Sequence, residues 1–136
     1  MPNLVTVQVP VKVKGVKVTD CFDPKYKEKV TKQIKARIEK ALAKIEVQTP
    51  KGKKLGAFAV DVSASVKRTD KGVLVEVRMV PSENNNMLGG TKDGRMMTLP
   101  KDAEVKDDDV SEPADAAADA AVESVTKVFS KIAEKP

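Results

Sequence analysis

The sequence predicts an α+β domain: a two-layer sandwich with two helices on one face of a three- to four-stranded, mostly antiparallel sheet. Three observations carry this. From Phe58 to Val66, the residues Phe58, Val60, Val62, Ala64 and Val66 alternate with Asp61, Ser63, Ser65 and Lys67, the period-two pattern of a half-buried strand. After a turn at Arg68–Gly72, Val73, Val75, Val77 and Met79 repeat the pattern against Glu76 and Arg78, which makes the pair a hairpin. Two other stretches instead place apolar residues three and four apart, the spacing of amphipathic helices. The element order is then β-α-β-β-(β)-α, and 136 residues suit one domain spanning 1–136.

Taken in order, the chain opens with Val5, Val7, Val9, Val11 and Val13 alternating with Thr6, Gln8, Pro10, Lys12 and Lys14. Pro10 has no N–H to give to a ladder, so this strand belongs at a sheet edge. The apolar parity inverts after Gly15, where Val16 and Val18 take over, and a bulge or bend at Gly15 accounts for it. If this strand pairs with the third, the helix between them makes a right-handed crossover.

Asp23 and Pro24 then supply an N-cap and a first helical residue. Tyr26, Val30, Ile34, Ile38, Ala41, Leu42 and Ile45 form one stripe over about six turns, closed by Pro50 and Gly52. Beyond the hairpin, Pro81–Asn86 and Gly89–Gly94 are rich in turn residues, with room for a short strand over Arg95–Leu99. The stretch at about 82–110 is expected to be the least ordered part of the chain. A second helix, capped by Ser111, carries alanines from Ala114 to Ala121 and then Val122, Val125, Val128, Phe129 and Ile132. Small residues at its start let it lie close to the sheet.

Composition removes several chemistries. The chain has no histidine and one cysteine, Cys21, so Ser-His-Asp and Cys-His catalysis and a Cys-rich zinc site have no residues to work with. Gly89 and Gly94 bracket four residues, but Arg95 and Met96 follow where a phosphate-binding loop needs Lys and Ser or Thr. Asp107–Asp109 lacks the alternating ligands, glycine and closing glutamate of a calcium loop; acids before a helix suit its dipole. No enzyme activity, metal or cofactor is expected. No stretch reaches the roughly 20 apolar residues of a membrane span and no signal peptide opens the chain, so the expected location is the cytoplasm.

Charge is the one functional lead. Residues 1–54 hold 14 Lys and Arg against 5 acids, while residues 55–136 hold 11 against 15. Helix one concentrates the excess in Lys25, Lys27, Lys29, Lys32, Lys35, Arg37 and Lys40. Three of these lie in its first two turns, where cations oppose the dipole, and such a start can hold an anion. The asymmetry has two readings: an anionic partner, or pairing between the halves. The expected function is a non-enzymatic interaction or structural subunit that binds an acidic partner or assembles with itself through this helix and the Val5–Val13 edge strand. The alternative is a nucleic-acid-binding protein of weak sequence specificity, since stacking aromatics are scarce.

Overall fold

A computed structural model describes residues 3–136. The chain runs β1 (Leu4–Val9), β2 (Val11–Cys21), a 3-10 turn (Pro24–Tyr26), α1 (Lys27–Leu42), β3 (Ile45–Pro50), β4 (Phe58–Thr69), β5 (Gly72–Glu83), β6 (Asn86–Met87), β7 (Thr91–Thr98) and α2 (Asp107–Glu134). The α+β class and the two helices hold. The single three- to four-stranded sheet does not: the strands form a five-stranded sheet, with β2-β4-β5-β6 in order and β7 also on β5, and a separate β1-β3 ribbon.

The β4–β5 hairpin is the centre of the larger sheet, in register from Phe58↔Glu83 to Thr69↔Gly72. Its loop is therefore only Asp70 and Lys71. The apolar parity read from the sequence is the buried one: Val60, Val66, Val73, Val75, Val77 and Met79 are fully buried under the helices. Gly72, at the end of the loop, takes φ +156°, and close packing gives a second reason for a glycine there. A Cβ there would collide with the Met97 carbonyl oxygen of β7, so the glycine lets β7 approach the start of β5.

Three boundaries differ from the sequence reading. The first strand is two: Pro10 interrupts it, and β1 and β2 pair with different partners. β2 runs parallel to β4, not beside the second arm of the hairpin, and its ladder slips between Val13 and Gly15 as the parity inversion required, and again between Val18 and Asp20. Helix one stops at Leu42, and Ile45–Pro50 is a strand. Ile45 continues the helical stripe from Leu42, which hid the alternation of buried Ile45, Val47 and Thr49 with exposed Glu46 and Gln48; Ala41, counted in that stripe, is exposed.

Helix α2 begins four residues before Ser111. The Lys106 N–H donates to the Asp109 carboxylate at 2.9 Å, so the aspartates form the first turn, where their charge suits the dipole. Pro113, which would sit most easily in a first turn, lies inside the helix instead. Its alanines do what their size allows: Ala114, Ala117, Ala118 and Ala121 are fully buried. Phe129 stacks on Phe58 at 4.5 Å between ring centres, an aromatic pair within the core. At the far end, Lys53 Nζ donates to the carbonyls of Ile132 (2.8 Å) and Lys135 (2.6 Å), satisfying free groups at the negative end of the dipole.

The segment between β7 and α2 is fastened by two side chains. Arg68, at the hairpin tip, donates to the carbonyls of Pro100, Lys101 and Ala103 at 2.7, 3.1 and 3.2 Å. The Tyr26 hydroxyl donates to the Val105 carbonyl at 3.1 Å. No helix among the described residues is long and apolar enough to cross a membrane.

Candidate functional site

Three surfaces compete for function: the cationic side of α1, the uncovered face of the larger sheet, and the β1 edge.

On α1, burial of Val30, Ile34, Ile38 and Leu42 turns the charged residues outward, but it does not gather them into one patch. One flank meets α2. Lys29 lies 3.4 Å from Asp107; Gln33 donates to the Ser111 carbonyl and to Asp115, both at 2.7 Å; Arg37 grips Asp119 and reaches Asp115 at 3.5 Å. Arg37 thereby holds the Asp119 carboxyl below the usual carboxylate range. Part of the charge asymmetry between the halves is therefore internal pairing. Lys32 pairs with Glu28 at 3.0 Å and Lys35 with Glu39 at 3.9 Å along the helix. Lys25 lies outside α1, in the 3-10 turn, with its ammonium over the Tyr26 ring at 5.0 Å and 3.9 Å from Asp23; Tyr26 first, then Asp23, raise its pKa. Of the seven candidates, only Lys27 and Lys40 have no ion pair among the described residues.

The sheet face turned away from the helices carries a second constellation that the sequence reading passed over. Glu76 is its hub, with 19% of its side chain exposed: Lys92 Nζ lies 2.9 Å from Oε2 and Lys67 Nζ 3.5 Å from Oε1. The hydrogen bond from Lys92 outweighs burial and lowers the Glu76 pKa. Beside it, Arg78 stands directly opposite Lys92 across the β5–β7 ladder. Ser63 and Ser65 of β4 lie between these strands and β2, and the group lines a shallow cavity of about 370 Å³ with Thr19 and Asp20. The polar parity of β4 and β5 was visible in the sequence. What was missing was the register of β7, without which Lys92 cannot be placed.

Cys21 is half-buried and its Sγ donates to the Asp23 carbonyl at 3.1 Å, the behaviour of a small packing residue. Among the described residues, no three Cys, Asp or Glu side chains converge into a group that would hold a metal.

The β1 edge differs from the edges of the other long strands; β6 also lacks a charge but is only two residues long, which is itself a protection. Leu4 and Val5 are 46% and 38% exposed, and Leu4–Val9 contains no charged residue. By contrast the β2 edge has Lys12, Lys14 and Lys17 and two register slips, β7 has Lys92 and Arg95, and β3 has Glu46 and a closing Pro50. Lysines, bulges and prolines are the usual guards of an exposed edge; β1 has none of them.

No protein-family model and no curated protein matches the sequence. Among solved structures, the chain is similar to a PelC dodecamer from Paraburkholderia phytofirmans, at 10% identity over 98% of this chain and 99% of that one, with a TM-score of 0.35. A likeness that distant carries no inference.

Proposed function

We propose that the protein is a non-enzymatic structural subunit that assembles with a second copy of itself through β1. The unguarded β1 edge is the observation that carries this reading. Two β1 strands, antiparallel about a two-fold axis, would extend the two ribbons into one four-stranded sheet, β3-β1 followed by the partner's β1 and β3. A two-stranded ribbon gains most from such completion. Charge is compatible with the same edge: with a net charge of +5, two copies repel wherever lysines face each other, and β1 carries no charged residue.

Sedimentation equilibrium tests it. The wild-type chain is expected to be dimeric at micromolar concentration, and Val5→Lys, which places a guard on the edge, is expected to be monomeric with an unchanged circular dichroism spectrum. A wild-type chain that stays monomeric at several hundred micromolar overturns the reading.

A second reading, nucleic-acid binding with weak sequence specificity, rests on Lys25, Lys29 and Lys32, which line one shallow depression with Glu28 at the start of α1, and on Lys27 and Lys40, without an ion pair among the described residues, along the same helix. Changing Lys27 and Lys40, the two without acidic partners, to Gln would lower the slope of log affinity against log salt by up to about 1.8 for duplex DNA. Retention on DNA that does not depend on salt sinks it.

A further inference from the structure

The like-charged pair Arg78 and Lys92 is the anomaly of the uncovered sheet face. Directly opposed cations on neighbouring strands destabilise a sheet, and a sequence selected for stability alone would place an acid at one of them. Glu76 relieves Lys92 at 2.9 Å, yet Arg78 makes no ion pair among the described residues. On the strand beside Arg78, in register with it, is Ser63, and the partner of Ser63 on β2 is Lys17. One row across the sheet thus reads Lys17, Ser63, Arg78, Lys92, with no acid in it; Ser63, Arg78 and Lys92 line the cavity, while Lys17 lies in the neighbouring depression beside Asp61. The flanking rows supply Asp61 on one side, and Ser65, Glu76 and Asp20 on the other. The Ser63 and Ser65 hydroxyls make no hydrogen bond to another residue among the described residues, although both line the cavity.

We propose that this row is a binding site for a ligand bearing a small oxyanion, a phosphate or a carboxylate, seated over Ser63 with Arg78 as its forked donor. The guanidinium offers two parallel N–H groups, the serines offer O–H, and Lys92 closes the far side as a point charge. Glu76 then has a positioning role: bonded to both Lys67 and Lys92, it fixes Lys92 at the rim of the cavity and leaves Arg78, among the cations that line the cavity, without an ion pair among the described residues. A cavity of about 370 Å³ lies at the small end of the range for ligand pockets. The site takes an anionic group of a small molecule rather than a flat base, because no aromatic side chain lines it. The proposal stands apart from assembly through β1, which uses different strands and different chemistry.

Amide chemical shifts followed during separate titrations with inorganic phosphate and succinate test it. Saturable changes at millimolar concentration, centred on Ser63, Ser65, Arg78 and Lys92, support the site; saturation by phosphate alone or succinate alone identifies which oxyanion it takes. Arg78→Gln is expected to weaken binding about tenfold, close to 1.4 kcal/mol, while Lys127→Gln on α2 leaves it unchanged. Because Arg78 is exposed, its variant is expected to fold, and relief of the like-charge pair should raise its melting temperature at low salt. Ser63→Leu, which fills the seat without changing any charge, is a second variant that should abolish binding. Shifts that grow linearly with neither anion saturating, or binding that survives both variants, overturn the proposal.

Discussion

Arg37 and Asp119 join the two helices through a parallel fork, Nε to Oδ1 at 2.6 Å and Nη2 to Oδ2 at 2.8 Å. The geometry is the bidentate one that only an arginine can make with a carboxylate. It converts a residue that looks, in sequence, like part of a binding stripe into a bracket between α1 and α2.

Its pH dependence follows from the lowered Asp119 pKa. A carboxylate whose folded value lies below its unfolded one contributes stability that is fully present above the unfolded value, about 3.9. That stability is lost as pH falls through the folded value. The difference in urea midpoint between the wild type and Asp119→Asn should therefore be constant from about pH 5 to 8 and shrink below about pH 4. Both groups are partly exposed, so the difference should also fall in 1 M salt. Arg37→Lys should not restore the wild-type midpoint; if it does, the fork adds nothing beyond charge.

Gly72→Ala tests the close approach of β7 to β5. The methyl group meets the Met97 carbonyl, so β7 must shift, and a loss of roughly 1–3 kcal/mol is expected. Gly52→Ala, where nothing lies near the added carbon but φ is +86°, is the comparison: it suffers backbone strain alone. Equal urea midpoints for Gly72→Ala and the wild type would remove the packing argument.

Hydrogen exchange discriminates within the stretch at 82–110, where the sequence suggests low order throughout. Amides of Thr91–Thr98 that bond to β5 should be protected, because Gly72↔Thr98 to Met79↔Thr91 form a continuous ladder. Amides at Gly89 and Gly90, between β6 and β7, should exchange fast. Uniformly fast exchange across both segments would mean that β7 does not hold to the sheet in solution.

What could be read from the residues was what one local rule decided. The β4–β5 hairpin was legible because alternation, turn chemistry and burial agree there, and the bulge after Gly15 was legible from a change of parity. The end of α1 was not, because Ile45 satisfies both a helical and a strand pattern. The break at Pro10 was half legible: the proline marks an edge, but only pairing with two different partners shows that one strand has become two. The basic residues of α1 were all found, yet their partners Asp107, Asp115 and Asp119 lie some 80 positions away. No pattern within a window of sequence connects them. The Lys17–Ser63–Arg78–Lys92 row was invisible for the same reason, as it is made of four strands and exists only once their registers are set.

The parallel pairing of β2 with β4 also sets an order of events. Antiparallel β4 and β5 can meet as soon as both leave the ribosome, since two residues separate them. β2 cannot find its partner until α1, β3 and the 51–57 segment have been made, and closing that loop costs entropy before any ladder bond repays it. β1 waits unpaired until β3 has been made, and β2 waits longer, until β4 follows. For β2 the lysines protect the waiting strand, as they later protect its edge. For β1 nothing does, and the contact that would join two finished copies is also open to two unfinished ones. If β1 is the assembly edge, the yield of native protein should fall as more nascent chains share the same space, a cost that falls on synthesis and not on the folded state.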